Sequence, residues 1–228
     1  MTPRSLAVTP WAMAWAVAWT LASLMVGTAA VAQTAKATPA STSLDTRLAQ
    51  AMADPKQAEA LLKTGRKVAA VCANCHGDNG NSSKPDVPNL AGQNTAYLME
   101  QLARFADGRR RNEFMQGMIR ALSPDEKVGA VMFFAAQSVT PKPPQRADLR
   151  AQGADIYQKN CFRCHGNQGM GNEKIARIAG QQPEYLTLSI KRYRSGTDVR
   201  FDPLMASATK LLTDTQVDAV AAFVSTLP

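Results

Sequence analysis

Two copies of one pentapeptide use up every cysteine and histidine in the chain. "VCANCHGDNG" at 71–80 is answered by "NCFRCHGNQG" at 160–169, and the 228 residues hold four Cys and two His in all. C-x-x-C-H is the attachment signal of c-type haem. Two thiols three residues apart can reach the vinyl groups on one porphyrin edge and form thioethers. The histidine that follows then lies under the macrocycle, where its imidazole can ligate iron. Cys72, Cys75 and His76 carry this chemistry in the first copy, and Cys161, Cys164 and His165 in the second.

Three other uses of C-x-x-C compete. A redox dithiol or a zinc half-site uses the same spacing, but zinc held by four thiolates leaves both histidines without a role. A disulfide framework suits an exported chain, yet structural staples seldom span two residues. None of these accounts for the complete motif appearing twice.

The motif sits inside a longer internal repeat. "LAGQNTAYLMEQLARFADGRR" at 90–110 matches "IAGQQPEYLTLSIKRYRSGTD" at 178–198 at a constant offset. Tyr97 pairs with Tyr185, Leu98 with Leu186, Leu102 with Ile190 and Phe105 with Tyr193. Leu98, Leu102 and Phe105 fall on one helical face, and Gly108 and Gly196 stand where such a helix stops. Farther on, "MQGMIRALSPDEKVGAVMFFAAQ" matches "MASATKLLTDTQVDAVAAFVSTL". Ser123-Pro124-Asp125-Glu126 and Thr213-Asp214-Thr215-Gln216 each read as the capping box of a closing helix. Each half therefore reads as a helix before the pentapeptide, a long loop, a middle helix, a Met-bearing loop and a final helix. A further helical stretch from Asp45 to Lys63 is interrupted at Pro55. No strand pattern competes, and the fold class is all-α.

An iron that only passes electrons needs a sixth ligand. With no histidine left, methionine is the other common choice, and it raises the potential relative to two histidines. Of the ten Met residues, the repeat selects Met115 and Met205, each seven residues ahead of the leucine, Leu122 or Leu212, that precedes its capping box. Met118 aligns with Ala208 and reads as packing. Met170 lies too near its own pentapeptide to reach the opposite haem face.

The N-terminal segment has a single charge, Arg4, then an uncharged apolar run ending in Ala30-Val31-Ala32. This reads as a signal peptide over 1–32, with retention as a membrane anchor the alternative. Either way the functional part lies outside the cytoplasm. Residues 33–43 form a small, polar leader, and the proline-rich stretch 138–150 a stiff connection. The body divides into 44–140 and 141–228. The net charge of +8 invites a nucleic-acid reading, which export and the scatter of the basic residues discount. The dense run Arg109-Arg110-Arg111 reads as a solvated helix end. The second half has the larger basic excess, which points to an acidic partner.

Over about 65–228 the chain resembles the dihaem cytochrome c4 family, two class I cytochrome c domains in tandem. The likeness rests on "CANCHGDNG", "PNLAGQNTAYLMEQL", "GRRRNEFM", "CFRCHGNQG", "IAGQQPEYL" and "DPLM". It implies two covalently bound haem c groups facing each other across a pseudo-twofold interface, with His76/Met115 and His165/Met205 as axial pairs. It also implies a periplasmic or membrane-associated carrier passing electrons towards a terminal oxidase. The donor would be a quinol-oxidising complex or a dehydrogenase. Family members show a proline near the haem histidine, matched by Pro88, whose carbonyl would accept from His76 Nδ1–H. The second half has Ala176 there, with a carbonyl still available. Two other functions compete. One is the cytochrome subunit of a flavoprotein dehydrogenase such as sulfide dehydrogenase. The other is a haem peroxidase or reductase, which needs an open sixth position and a nearby acid or base.

Overall fold

A proline at 55 splits the first helical stretch in two, and the residue before it explains how. Asp54 is extended, and its carboxylate accepts from Lys56 N–H at 2.9 Å. It thus caps a new helix with Pro55 in the first turn, where a missing N–H costs nothing. In the computed structural model, α1 spans Leu44–Ala53 and α2 Pro55–His76. The structure describes residues 43–143, 145–197 and 200–228, so the signal peptide and nearly all of the leader lie outside the described residues.

The first half continues with α3 (Thr95–Asp107), α4 (Glu113–Ala121) and α5 (Pro124–Ala135). The second runs through a 3-10 turn (Ala147–Leu149) into α6 (Arg150–Asn160), α7 (Phe162–His165), α8 (Pro183–Ser195), α9 (Pro203–Thr209) and α10 (Asp214–Val224). Among the described residues the only extended pairing is one antiparallel bridge, between Arg110 and Arg200. Both capping boxes form, at Ser123/Glu126 and Thr213/Gln216. Gly108 and Gly196 end α3 and α8 in the left-handed conformation, at φ 85° and 63°.

Two expectations need correction. The methionines stand on helices, not loops: Met115 and Met205 are each the third residue of a short helix, α4 and α9. Asn112 and Asp202 are the reason. Each is extended, and its side-chain oxygen accepts the Met backbone N–H, at 2.9 Å and 3.1 Å. The Arg109–Arg111 run is likewise not simply a solvated helix end. Arg110 is half-buried, its guanidinium lies 4.4 Å from the Phe105 ring centroid, and it donates to Gln101 and Tyr185.

The buried apolar side chains form two clusters. One joins Leu48, Leu61, Leu98, Met99, Val128, Val131 and Phe134, the other Ile156, Tyr157, Leu186, Ile190, Val217, Val220 and Val224. Leu48 and Ala51 come from α1, so part of the N-terminal stretch beyond the family resemblance is built into the first core. In each half the first and last long helices cross closely, α2 on α5 and α6 on α10. The connecting stretch is held to the first half through Asn81, which donates to Ser138 O and accepts from Thr140 N–H, both at 2.8 Å. The two halves belong to one compact unit.

Candidate functional site

Each pentapeptide histidine is the last residue of its helix. Gly77 and Gly166 follow at φ 80° and 76°, turning the chain away. The loop then folds back so that a backbone carbonyl meets the ring: Pro88 O lies 2.9 Å from His76 Nδ1, and Ala176 O lies 2.9 Å from His165 Nδ1. A carbonyl only accepts, so Nδ1 carries the proton in both rings and Nε2 keeps its lone pair. Burial pushes both imidazoles below their usual pKa, although the carbonyl hydrogen bonds oppose this. At His76 the Arg110 and Lys84 charges add to the downward shift. Both rings are therefore neutral, oriented donors, the state an iron ligand requires. The second-half departure from proline leaves this geometry unchanged.

All eight residues singled out by the motif and the repeat line one cavity of about 540 Å³: Cys72, Cys75, His76 and Met115 from the first half, Cys161, Cys164, His165 and Met205 from the second. The rival methionines Met118 and Met170 do not line it. The remaining wall is largely apolar, with Leu98, Phe105 and Ile119 on one side and Leu186, Ile190 and Leu212 on the other. The four cysteines are unbridged. Burial raises the Cys72 thiol and, with Cys164 adding to the effect, pushes Cys161 up to about 11. A redox-active dithiol needs the opposite shift. Among the described residues no three His, Cys, Asp or Glu side chains converge on a metal position, so the zinc reading has no geometry.

At the seam between the halves lies a feature that sequence reasoning missed. Arg200 is 7 % exposed. Its guanidinium donates to Tyr185 and Tyr97 hydroxyls at 2.6 Å and 2.7 Å and to Ser189 at 3.1 Å. Arg110 answers with 2.8 Å to Gln101 and 2.9 Å to Tyr185. Each arginine sits over an aromatic ring of its own half, Phe105 or Tyr193, and reaches a tyrosine of the other. These pairs are related by the repeat, so the seam is pseudo-twofold. The available signal was an arginine five residues ahead of each selected methionine. Burial alone would raise the Tyr185 phenol, but the two guanidiniums outweigh it and bring its pKa down to about 7.

These residues fit a haem. The neutral histidines and thioether sulfurs are its usual iron donors, and the thiols adjoin the histidines. Arg200 also carries a buried Nε without a hydrogen-bond partner, and among the described residues no carboxylate pairs with it. A buried guanidinium that lines the cavity without a carboxylate partner matches a cofactor that brings its own carboxylates.

The helical fold and twin Cys-Cys-His sites define a tandem c-type cytochrome. Residues 62–131 match the cytochrome c family model, and residues 148–224 match the model described as cytochrome c oxidase, cbb3-type, subunit III. Cytochrome c4 of Thiocapsa roseopersicina is 32% identical over 76% of this chain and 93% of its own length. The thiosulfate dehydrogenase electron acceptor of Stutzerimonas stutzeri is 34% identical over 68% of this chain and 78% of its own. The crystal structure of reduced recombinant cytochrome c4 from Pseudomonas stutzeri superposes with a TM-score of 0.65 at 27% identity. It covers 73% of this chain and 98% of that one. The chain belongs to the cytochrome c4 family. It is a dihaem electron carrier rather than an enzyme, and its cytochrome c segments imply covalently bound haem c.

Proposed function

We propose that one haem c is attached at Cys72 and Cys75 with His76 and Met115 as axial ligands, and a second at Cys161 and Cys164 with His165 and Met205. The halves 44–140 and 141–228 then act as two redox domains of a periplasmic carrier. The observation that carries this is the shared cavity: each half contributes two thiols, a neutral imidazole with its Nδ1 fixed, and one methionine. The cofactor supplies reversible one-electron chemistry at iron. The chain's own residues orient the histidines, hold the methionines through Asn112 and Asp202, exclude water with an apolar wall, and meet the haem carboxylates with Arg110 and Arg200. An iron with both axial positions filled has no site for a substrate, which is why the peroxidase or reductase reading is the weaker one.

Donor and acceptor follow as classes. A quinol-oxidising complex or a dehydrogenase supplies electrons, and a terminal oxidase removes them. The likeness to thiosulfate dehydrogenase electron acceptors favours a dehydrogenase donor, either in passing or as a stable complex. Among the described residues no helix is long and apolar enough to cross a membrane.

The test is haem counting with an optical redox titration of the protein matured by export. The expected result is two haems per chain, each showing a sulfur-to-iron charge-transfer band in the ferric state and binding no carbon monoxide when reduced at neutral pH. One haem, or ready carbon monoxide binding, overturns the assignment. Co-purification with a flavoprotein dehydrogenase in fixed ratio would replace the free carrier with the subunit reading.

A further inference from the structure

The loop segments that orient the two histidines are themselves held from across the seam. Residue 89 follows Pro88, whose carbonyl accepts from His76. Residue 177 follows Ala176, whose carbonyl accepts from His165. Gln181, from the second half, grips residue 89 by both main-chain groups: its Oε1 accepts Asn89 N–H at 2.7 Å and its Nε2 donates to Asn89 O at 3.0 Å. Gln93, from the first half, grips Arg177 in the same way, at 2.8 Å to N–H and 2.8 Å to O. Both glutamines are 7 % exposed. Each amide oxygen also accepts the N–H of the next residue, Asn94 at 3.0 Å and Gln182 at 2.9 Å, so neither amide can turn without losing two bonds. Gln93 and Gln181 occupy the same place in the repeated A-G-Q segment.

We propose that Gln93 and Gln181 are crossed positioning residues: each half's glutamine fixes the segment that orients the other half's haem histidine, so part of each iron's redox potential is set across the seam. The inference rests on His76 and His165 being the iron ligands. The physical route is short. A side-chain amide that both donates to and accepts from one residue's main chain mimics a strand pairing, and it fixes the peptide next to the acceptor carbonyl. That carbonyl's hydrogen bond to Nδ1–H makes the imidazole a stronger donor to metal. A stronger donor favours the ferric state and lowers the potential. If the clamp is released, the carbonyl drifts, the ring donates less, and the potential rises. The second glutamine bond is what distinguishes a clamp from ordinary seam contact.

The test uses the full-length, two-haem protein with Gln181→Met and Gln93→Met, of similar length but without the amide. Each haem's potential is followed by optical titration with assigned haem-methyl NMR resonances. The exchange rate of each His Nδ1 proton is measured alongside. In Q181M the His76 haem should shift upward and its Nδ1 proton exchange faster, while the His165 haem holds its wild-type value. Q93M should give the reverse pattern. Equal shifts at both haems in either variant, a shift confined to the glutamine's own half, or no shift would overturn the proposal. If Q181M does not accumulate with two haems, Gln181→Glu retains an oxygen for the Asn89 N–H, and a smaller shift at the same haem is expected. Failure of the ligation reading is distinguishable, because it appears in the unmodified protein as a missing haem or a missing sulfur-to-iron band.

Discussion

At the scale of single residues, the methionine positions follow from a cap. Asn112 and Asp202 each hold a Met N–H through a side-chain oxygen, and Asp202 also accepts from Leu204 N–H at 3.1 Å. Replacing such a cap by alanine costs about 1 kcal/mol and frees the turn that carries the sulfur. Asn112→Ala and Asp202→Ala should each lower the melting temperature and weaken the sulfur-to-iron band of the haem in the same half, read by absorption in the ferric protein. The repeat made the methionines legible, but not the helices under them. Helices of nine and seven residues are too short to separate from a loop by periodicity, and the cap three positions ahead was the usable signal. The capping boxes give a residue-scale pH prediction. Hydrogen bonding to Ser123 N–H, then to the Ser123 hydroxyl, holds the Glu126 carboxyl below its ordinary value. A group with a depressed folded pKa contributes stability above its unfolded pKa of about 4.3 and loses that contribution as pH falls through the folded one. Glu126→Gln copies the second half's Thr213/Gln216 box, which has no proton to gain. Melting curves between pH 6 and pH 3 (roughly one to two units either side of the carboxylate range) should show the wild type losing more stability on acidification than E126Q.

At the scale of elements, the deciding contacts are helix crossings with no room for a side chain. A Cβ on Gly65 of α2 would lie 2.0 Å from Gly129 O of α5, and one on Gly153 of α6 would lie 1.9 Å from Ala219 O of α10. The backbones touch where the first and last helices of each half cross, and this brings α2 and α6 to the angle that delivers the pentapeptides to the cavity. Overpacking a fixed crossing costs about 1–3 kcal/mol, sometimes more, and here the obstruction is backbone rather than a side chain able to turn aside. Gly65→Ala and Gly153→Ala should each lower the unfolding midpoint by that order in chemical denaturation. At the facing position the halves differ: Gly129 meets Leu61 O at 2.3 Å for an added Cβ, while the second half already holds Ala219. Gly129→Ala should therefore destabilise where its counterpart is tolerated. Helix ends were readable from Asp54-Pro55, Gly108, Gly196 and the two capping boxes, because caps are local chemistry. The close approach of Gly65 to Gly129 was not, since a glycine inside a helix reads as a mild defect until its neighbour across space is known.

For the whole molecule, the seam is where the two repeats become one structure. Its members are the pairs that the sequence aligned as equivalents, Tyr97 with Tyr185 and Phe105 with Tyr193, now joined crosswise through Arg110 and Arg200. The alignment predicted that the halves resemble one another. It did not predict that they exchange hydrogen bonds, because Arg110 stands in a basic run that ordinarily is solvated, and only burial identifies the isolated Arg200 as structural. Removing Arg200 tests how far the halves depend on each other. Arg200→Met keeps the aliphatic stem over Tyr193 and deletes three donor contacts, leaving the Tyr97 hydroxyl without its bond to the second half. Hydrogen bonds to charged groups are worth about 1.5–3 kcal/mol each, less what the buried charge costs when unneutralised, so a net loss of about 2–3 kcal/mol is expected. Only the Tyr97 bond joins the halves, since Tyr185 and Ser189 belong to the second, so the loss falls partly on the seam and partly on the second half. The wild type, built as one compact unit, is expected to unfold in a single calorimetric transition, and in the variant that transition should broaden or split into two, with two haems still bound. A uniformly lowered but still single transition would mean that the cores, rather than the seam, carry the cooperativity.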